Sequence, residues 1–147
     1  MTQVQTSLHG LGVAMVTPFN EQGNVDFPAL QRMVEHQIEG GTAFLVVLGT
    51  TGETPTLSAA EQRRVVDFVL EVNAGRLPVV VGVTGNNTAE LCERIHGWDV
   101  NGVAAFLVAT PAYNKPGQEG LKAHYTAVAD AAQRPVILYN VPGRTSC

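Results

Sequence analysis

The chain has 147 residues, of which 45% are hydrophobic and only 15% are Asp, Glu, Lys or Arg, which excludes an intrinsically disordered polymer and suits one domain with a sizeable core. A formal net charge of −4 argues against nucleic acid or an anionic membrane as the main partner. No apolar run reaches the roughly 18 residues of a membrane span, residues 1–7 lack the basic and apolar regions of a signal peptide, and Cys92 and Cys147 form no disulfide framework, so a reduced, cytoplasmic setting is expected.

The first predicted strand covers 11–16. A predicted helix follows from about 26 to 39, with Leu30, Met33, Val34 and Ile38 on one face and Gly40-Gly41 to stop it. A second strand over 43–48 leads through Gly49-Thr50-Thr51-Gly52-Glu53 to a helix opened by the capping box Ser58-Ala59-Ala60-Glu61. Val65, Val66, Val69 and Leu70 line that helix, and Gly75 ends it. Leu77-Pro78 leads into a third strand over 79–83. The third helix starts at Asn87 or Thr88, with Glu90 placed to complete a similar cap and Leu91 and Ile95 on its apolar side. A strand over 103–109, a helix over 118–132 with Leu121, Tyr125 and Val128, and a strand over 136–139 after Arg134-Pro135 complete the series. Beyond Pro142-Gly143 no closing element is expected.

The strand clusters are continuous rather than alternating in apolarity, the pattern of strands buried on both faces in a parallel sheet. Strands alternating with helices predict an α/β fold with right-handed crossovers. Two architectures fit: an open, five-stranded doubly wound sheet, or the N-terminal part of a (β/α)8 barrel. Length favours the first, because a barrel usually takes about 250 residues.

In both architectures ligands bind beyond the carboxyl ends of the strands. Those positions hold Thr17-Pro18, the 49–53 turn, Thr84-Gly85-Asn86-Asn87, Thr110-Pro111-Ala112-Tyr113 and Tyr139-Asn140. The glycines around Thr50-Thr51 permit close backbone approach and leave amides free to face an anion, although any well-capped strand–helix turn has the same look. No Gly-Lys-Ser/Thr follows, so this is not a nucleotide P-loop, and Gly10-Leu11-Gly12 precedes a strand instead of following one, which excludes a dinucleotide fingerprint. His9, His36, His96 and His124 are scattered at helical or terminal positions, most of them as surface or helix-face residues, and no metal site is expected. Cys92 reads as a packing residue and Glu53 as a general base or a cap. Tyr113 and Tyr139 read as core caps taken singly; together with a threonine hydroxyl they make a candidate proton relay. Arg144 offers a planar fork for a carboxylate, or is simply a solvated side chain.

Taken together, the motifs resemble the Schiff-base (class I) pyruvate aldolases and synthases, and within them the 4-hydroxy-tetrahydrodipicolinate (dihydrodipicolinate) synthases. The resemblance rests on Val13-Ala14-Met15-Val16-Thr17-Pro18-Phe19, Gly49-Thr50-Thr51-Gly52-Glu53, Tyr113-Asn114-Lys115-Pro116 with Gln118-Glu119-Gly120-Leu121, and Tyr139-Asn140-Val141-Pro142-Gly143-Arg144-Thr145, in family order from about Leu11 onward. It implies a (β/α)8 barrel, of which residues 1–147 are the N-terminal half, with the C-terminal half absent. It also implies a lyase condensing pyruvate with aspartate 4-semialdehyde, without a cofactor. In that mechanism a lysine forms a Schiff base with pyruvate and the enamine attacks the aldehyde. Carried over by motif, Tyr139 is the proton-shuttling phenol over the Schiff base, Thr50 links it to Tyr113, Thr51 and nearby amides hold the pyruvate carboxylate, and Arg144 receives the carboxylate of the semialdehyde. The tyrosine matching Tyr113 serves the neighbouring subunit, so a homodimer or homotetramer is expected.

Two departures from the family follow. The Schiff-base lysine lies on the family's sixth strand, beyond residue 147; Lys115 and Lys122 match neither its position nor its setting, so the isolated chain is expected to be inactive. At the family's lysine-feedback site Asn86 and Glu90 are possible regulatory residues, but Ala112 replaces a tyrosine, and Ala59 and Gln62 stand where some members carry histidines. Weak or absent feedback is expected. The neighbouring readings are a sugar-acid aldolase of the N-acetylneuraminate lyase kind, which generally lacks the equivalent of Arg144, and a non-catalytic half-barrel that binds a carboxylate or a partner through its open edges.

Overall fold

The computed structural model of the chain describes residues 8–145; the segment weighed as a leader, 1–7, and the thiol of Cys147 lie outside the described residues. Two compact units divide between Gly82 and Val83.

The first unit contains β1 (Gly12–Ala14), α1 (Phe27–Glu39), β2 (Phe44–Val47), α2 (Ala59–Asn73) and β3 (Val79–Gly82). β1 pairs parallel to β2 with Val13 beside Leu45, and β2 pairs parallel to β3 with Val46 beside Val80. β1 is shorter than the apolar cluster predicts, although Ala43 and Met15 extend its ladder by donating to the Leu11 and Val46 carbonyls. Leu11 and Val16 are exposed, which departs from the expected burial on both faces; β3 meets that expectation at every residue.

Helix positions follow their caps. Asp26 is not helical but accepts the Ala29 N–H at 2.9 Å, so α1 starts one residue later than predicted. Ser58 and Glu61 form the reciprocal capping box of α2, and the Ser58 hydroxyl and N–H hold the Glu61 carboxyl below its ordinary pKa. Leu30 and Val34 of α1 and Val65, Val66 and Val69 of α2 are buried. Each such aliphatic side chain contributes about 1.5–3 kcal/mol relative to exposure. Asn73, 1% exposed, donates to the Leu77 carbonyl at 2.8 Å and accepts the Leu77 N–H at 3.1 Å, joining the end of α2 to the approach to β3.

The second unit contains α3 (Thr88–His96), β4 (Val103–Ala109), α4 (Gln118–Ala131), β5 (Val136–Tyr139) and α5 (Pro142–Thr145). β4 and β5 are parallel, with Phe106 beside Val136 and Ala109 beside Tyr139. Leu91, Ile95, Trp98, Phe106, Val108, Leu121 and Val128 form its core. At the start of the pair the Arg134 guanidinium donates to the Val103, Val100 and Gln133 carbonyls. One expectation is corrected here. β5 is not buried on both faces: Leu138 is 62% exposed, because within this unit β5 pairs along one edge only. After β5 the chain turns through the short helix α5, where the Arg144 and Thr145 N–H groups both donate to the Val141 carbonyl.

Candidate active site

In the first unit the site residues are set by the turn between β2 and α2. Leu48 takes a left-handed conformation (φ 58°) directly after β2, and its carbonyl packs so closely on Gly82 that a Cβ there would overlap it. The chain then forms a 3₁₀ turn over Thr50–Gly52, with Gly52 N–H on the Gly49 carbonyl and Glu53 N–H on that of Thr50. The N–H groups of Thr50 and Thr51 stand at the front of this turn, outside its own bonds, and both residues are exposed. Two buttresses hold it: Thr17, buried, donates to the Gly52 carbonyl at 2.7 Å, and Thr54 donates to that of Leu48 at 2.7 Å. Gln62, weighed as a regulatory position, donates to the Thr54 and Leu57 carbonyls and braces the following 3₁₀ turn, Thr54–Thr56. Ala59 is exposed on the first turn of α2, and Glu53 is left-handed (φ 51°) and exposed.

In the second unit Tyr139 closes β5, 39% exposed, with its carbonyl taking the N–H of Thr110 at 3.0 Å. Thr110 is buried, and its hydroxyl lies 2.9 Å from the Tyr125 phenol. Arg144 is exposed on α5. Behind it Thr145, 3% exposed, donates to the Asn140 side chain at 2.7 Å, which folds the chain back after β5. Tyr113 does not cap a core: it is 90% exposed. It is the left-handed centre (φ 70°) of a γ-turn closed by Asn114 N–H on the Ala112 carbonyl at 2.8 Å. Such backbone costs about 1–3 kcal/mol and gathers at functional positions. Asn86, a possible regulatory residue, bonds Ala112 through both ends of its amide, at 2.8 and 3.1 Å. Glu90 is exposed, with its N–H 3.4 Å from the capping oxygen of Asn87.

Thr50 and Thr51 thus belong to the first unit, and Tyr113, Tyr139 and Arg144 to the second. Sequence reading missed the buttresses Thr17 and Thr145, although both are threonines at the strand-end motifs. It also left the setting of His124 unassigned among the scattered histidines. His124 is 5% exposed, its Nδ1 lies 2.8 Å from the Thr88 hydroxyl, and burial pushes its pKa down. Among the described residues no group of three metal-ligating side chains occurs, and no helix is long and apolar enough to cross a membrane.

Residues 7–147 match the model of the dihydrodipicolinate synthetase family. The chain belongs to that family. It is 54% identical over 140 residues to a 4-hydroxy-tetrahydrodipicolinate synthase of Koribacter versatilis, covering 95% of this chain and 47% of that one. It is 51% identical over 142 residues to one from Phocaeicola vulgatus, covering 97% and 48%. The chloride-inhibited dihydrodipicolinate synthase of Acinetobacter baumannii, solved in complex with pyruvate, superposes with a TM-score of 0.89 at 46% identity, over 93% of this chain and 47% of that one. The chain spans about half the length of the curated relatives it matches. Its five strands and intervening helices are those of the N-terminal half of a (β/α)8 barrel, and the open doubly wound sheet is set aside.

Proposed function

We propose that residues 1–147 are the N-terminal half of a cytoplasmic lyase that condenses pyruvate with aspartate 4-semialdehyde to 4-hydroxy-tetrahydrodipicolinate, for diaminopimelate and lysine synthesis. The observation that carries this reading is near-complete coverage of the chain by relatives about half identical to it and bearing that enzyme's name. Tyr139 supplies a phenol able to donate and accept protons at the carboxyl end of β5, and Thr50 and Tyr113 extend the relay. The amides of Thr50 and Thr51, which the turn's own hydrogen bonds leave unused, suit the pyruvate carboxylate. Arg144 suits the carboxylate of the semialdehyde through its planar fork, and favours this substrate over a sugar acid. The 90% exposure of Tyr113 supports its loan to a second subunit in a homodimer or homotetramer. The Schiff-base lysine is supplied from beyond residue 147, so the isolated chain has no aldol activity.

Borohydride trapping with pyruvate, read by mass spectrometry, tests this. The 147-residue chain is expected to stay unmodified. Co-expressed with the C-terminal half of the Koribacter relative, it is expected to give a complex with one trapped pyruvate per pair and turnover of the semialdehyde. Tyr139→Phe then lowers turnover by about 10²–10⁴-fold. A stable adduct on the isolated chain overturns the missing-lysine reading, and a trapped complex that turns over only sugar acids overturns the substrate.

A further inference from the structure

The loop between β4 and α4 is poor in support of its own. Tyr113 and Lys115 are both left-handed, at φ 70° and 49°, and the γ-turn at Tyr113 has a single internal hydrogen bond, from Asn114 N–H to the Ala112 carbonyl. α4 then begins without a side-chain cap. A tyrosine on such a turn does not hold its phenol in one place unless something outside the turn fixes the peptide units on either side.

Asn86 does this. Its Nδ2 donates to the Ala112 carbonyl at 2.8 Å, and its Oδ1 accepts the Ala112 N–H at 3.1 Å. A primary amide carries a donor and an acceptor in one plane, the arrangement that a neighbouring strand's peptide unit would present. Both polar groups of the residue before Tyr113 are thereby taken. The same Ala112 carbonyl receives the Asn114 N–H that closes the γ-turn, so Asn86 grips the acceptor on which the turn depends. The base of the clamp is itself tied down. Arg94 donates to the Thr84 carbonyl two residues before Asn86, and Asn87 immediately after it accepts the Glu90 N–H as the cap of α3.

We infer that Asn86 is a positioning residue that holds the strained turn presenting the Tyr113 phenol. The inference deepens the proposed function, since it rests on Tyr113 belonging to the proton relay; the clamp is testable apart from that.

The test uses the ¹⁵N-labelled 147-residue chain as wild type, Asn86→Ala and Asn86→Asp, with amide exchange read residue by residue. Loss of a partner alone accelerates only the Ala112 amide. The clamp requires that the Asn114 amide, which does not touch Asn86, also exchanges at least about fivefold faster in Asn86→Ala. Asn86→Asp keeps the acceptor but loses the donor, so Ala112 stays protected while Asn114 still accelerates. The Leu91 and Ile95 amides of α3 report whether the fold survives. Unchanged exchange at Asn114 in a folded variant overturns the clamp. In the reconstituted enzyme, Asn86→Ala is expected to lower kcat about tenfold with KM for pyruvate little changed. Accelerated Asn114 exchange with full kcat leaves the clamp standing and overturns the relay role of Tyr113.

Discussion

The Nδ1 of His124 lies 2.8 Å from the hydroxyl of Thr88 and pins α4 to the first turn of α3, while the other ring nitrogen, Nε2, is buried without a partner among the described residues. A neutral imidazole tolerates that arrangement. Charging the ring in this buried setting costs solvation that the neutral form does not lose, so burial depresses the pKa below its ordinary value of 6.5. A depressed histidine pKa means that the unfolded chain binds the proton first. The contribution to stability is therefore complete above the unfolded value of about 6.5 and is lost as pH falls below it, with a slope of at most about 1.4 kcal/mol per pH unit, until the folded pKa is passed. Urea titrations of wild type and His124→Gln between pH 7.5 and 5 are expected to show a steeper acid loss in the wild type. Parallel curves contradict the assignment.

Gly82 has no room for a side chain against the Leu48 carbonyl. Gly82→Ala is expected to destabilise the first unit by about 1–3 kcal/mol or more, through displacement of a backbone that also shapes the turn carrying Thr50 and Thr51. Thermal melting of the two proteins checks this, and a melting temperature within 1 °C of wild type, well inside the roughly 2–4 °C that one kcal/mol moves, refutes it.

Asn73 has both ends of its buried amide committed to Leu77. Asn73→Ala frees the Leu77 N–H and carbonyl at the entry to β3 and is expected to cost about 1–3 kcal/mol. Asn73→Asp restores the acceptor alone and should recover only part of that loss. Chemical denaturation midpoints at constant m-value distinguish the two.

The order of elements was readable because α1, α2 and α3 announce their starts at Asp26, Ser58 and Asn87, and β4 and β5 run to the ends of their apolar clusters. The apolarity of a strand does not say how many neighbours cover it, and Leu11, Val16 and Leu138 look in sequence much like the buried Val79, Val80 and Val81. Motif positions named Thr50, Thr51, Tyr113, Tyr139 and Arg144 as site residues. What holds them was not legible, because Thr17 and Asn86 act on backbone groups that only the folded chain brings near. His124 escaped for a similar reason: a helical histidine gives no sign of whether its face meets water or another helix.

The Arg134 guanidinium reaches three carbonyls at the beginning of the β4–β5 pair, whereas Tyr139 stands at its finish. At the end away from the phenol the strands are thus tied by a planar five-donor group that lysine cannot imitate. Register is held at both extremities, by Arg134 at one and by the Tyr139 carbonyl on the Thr110 N–H at the other.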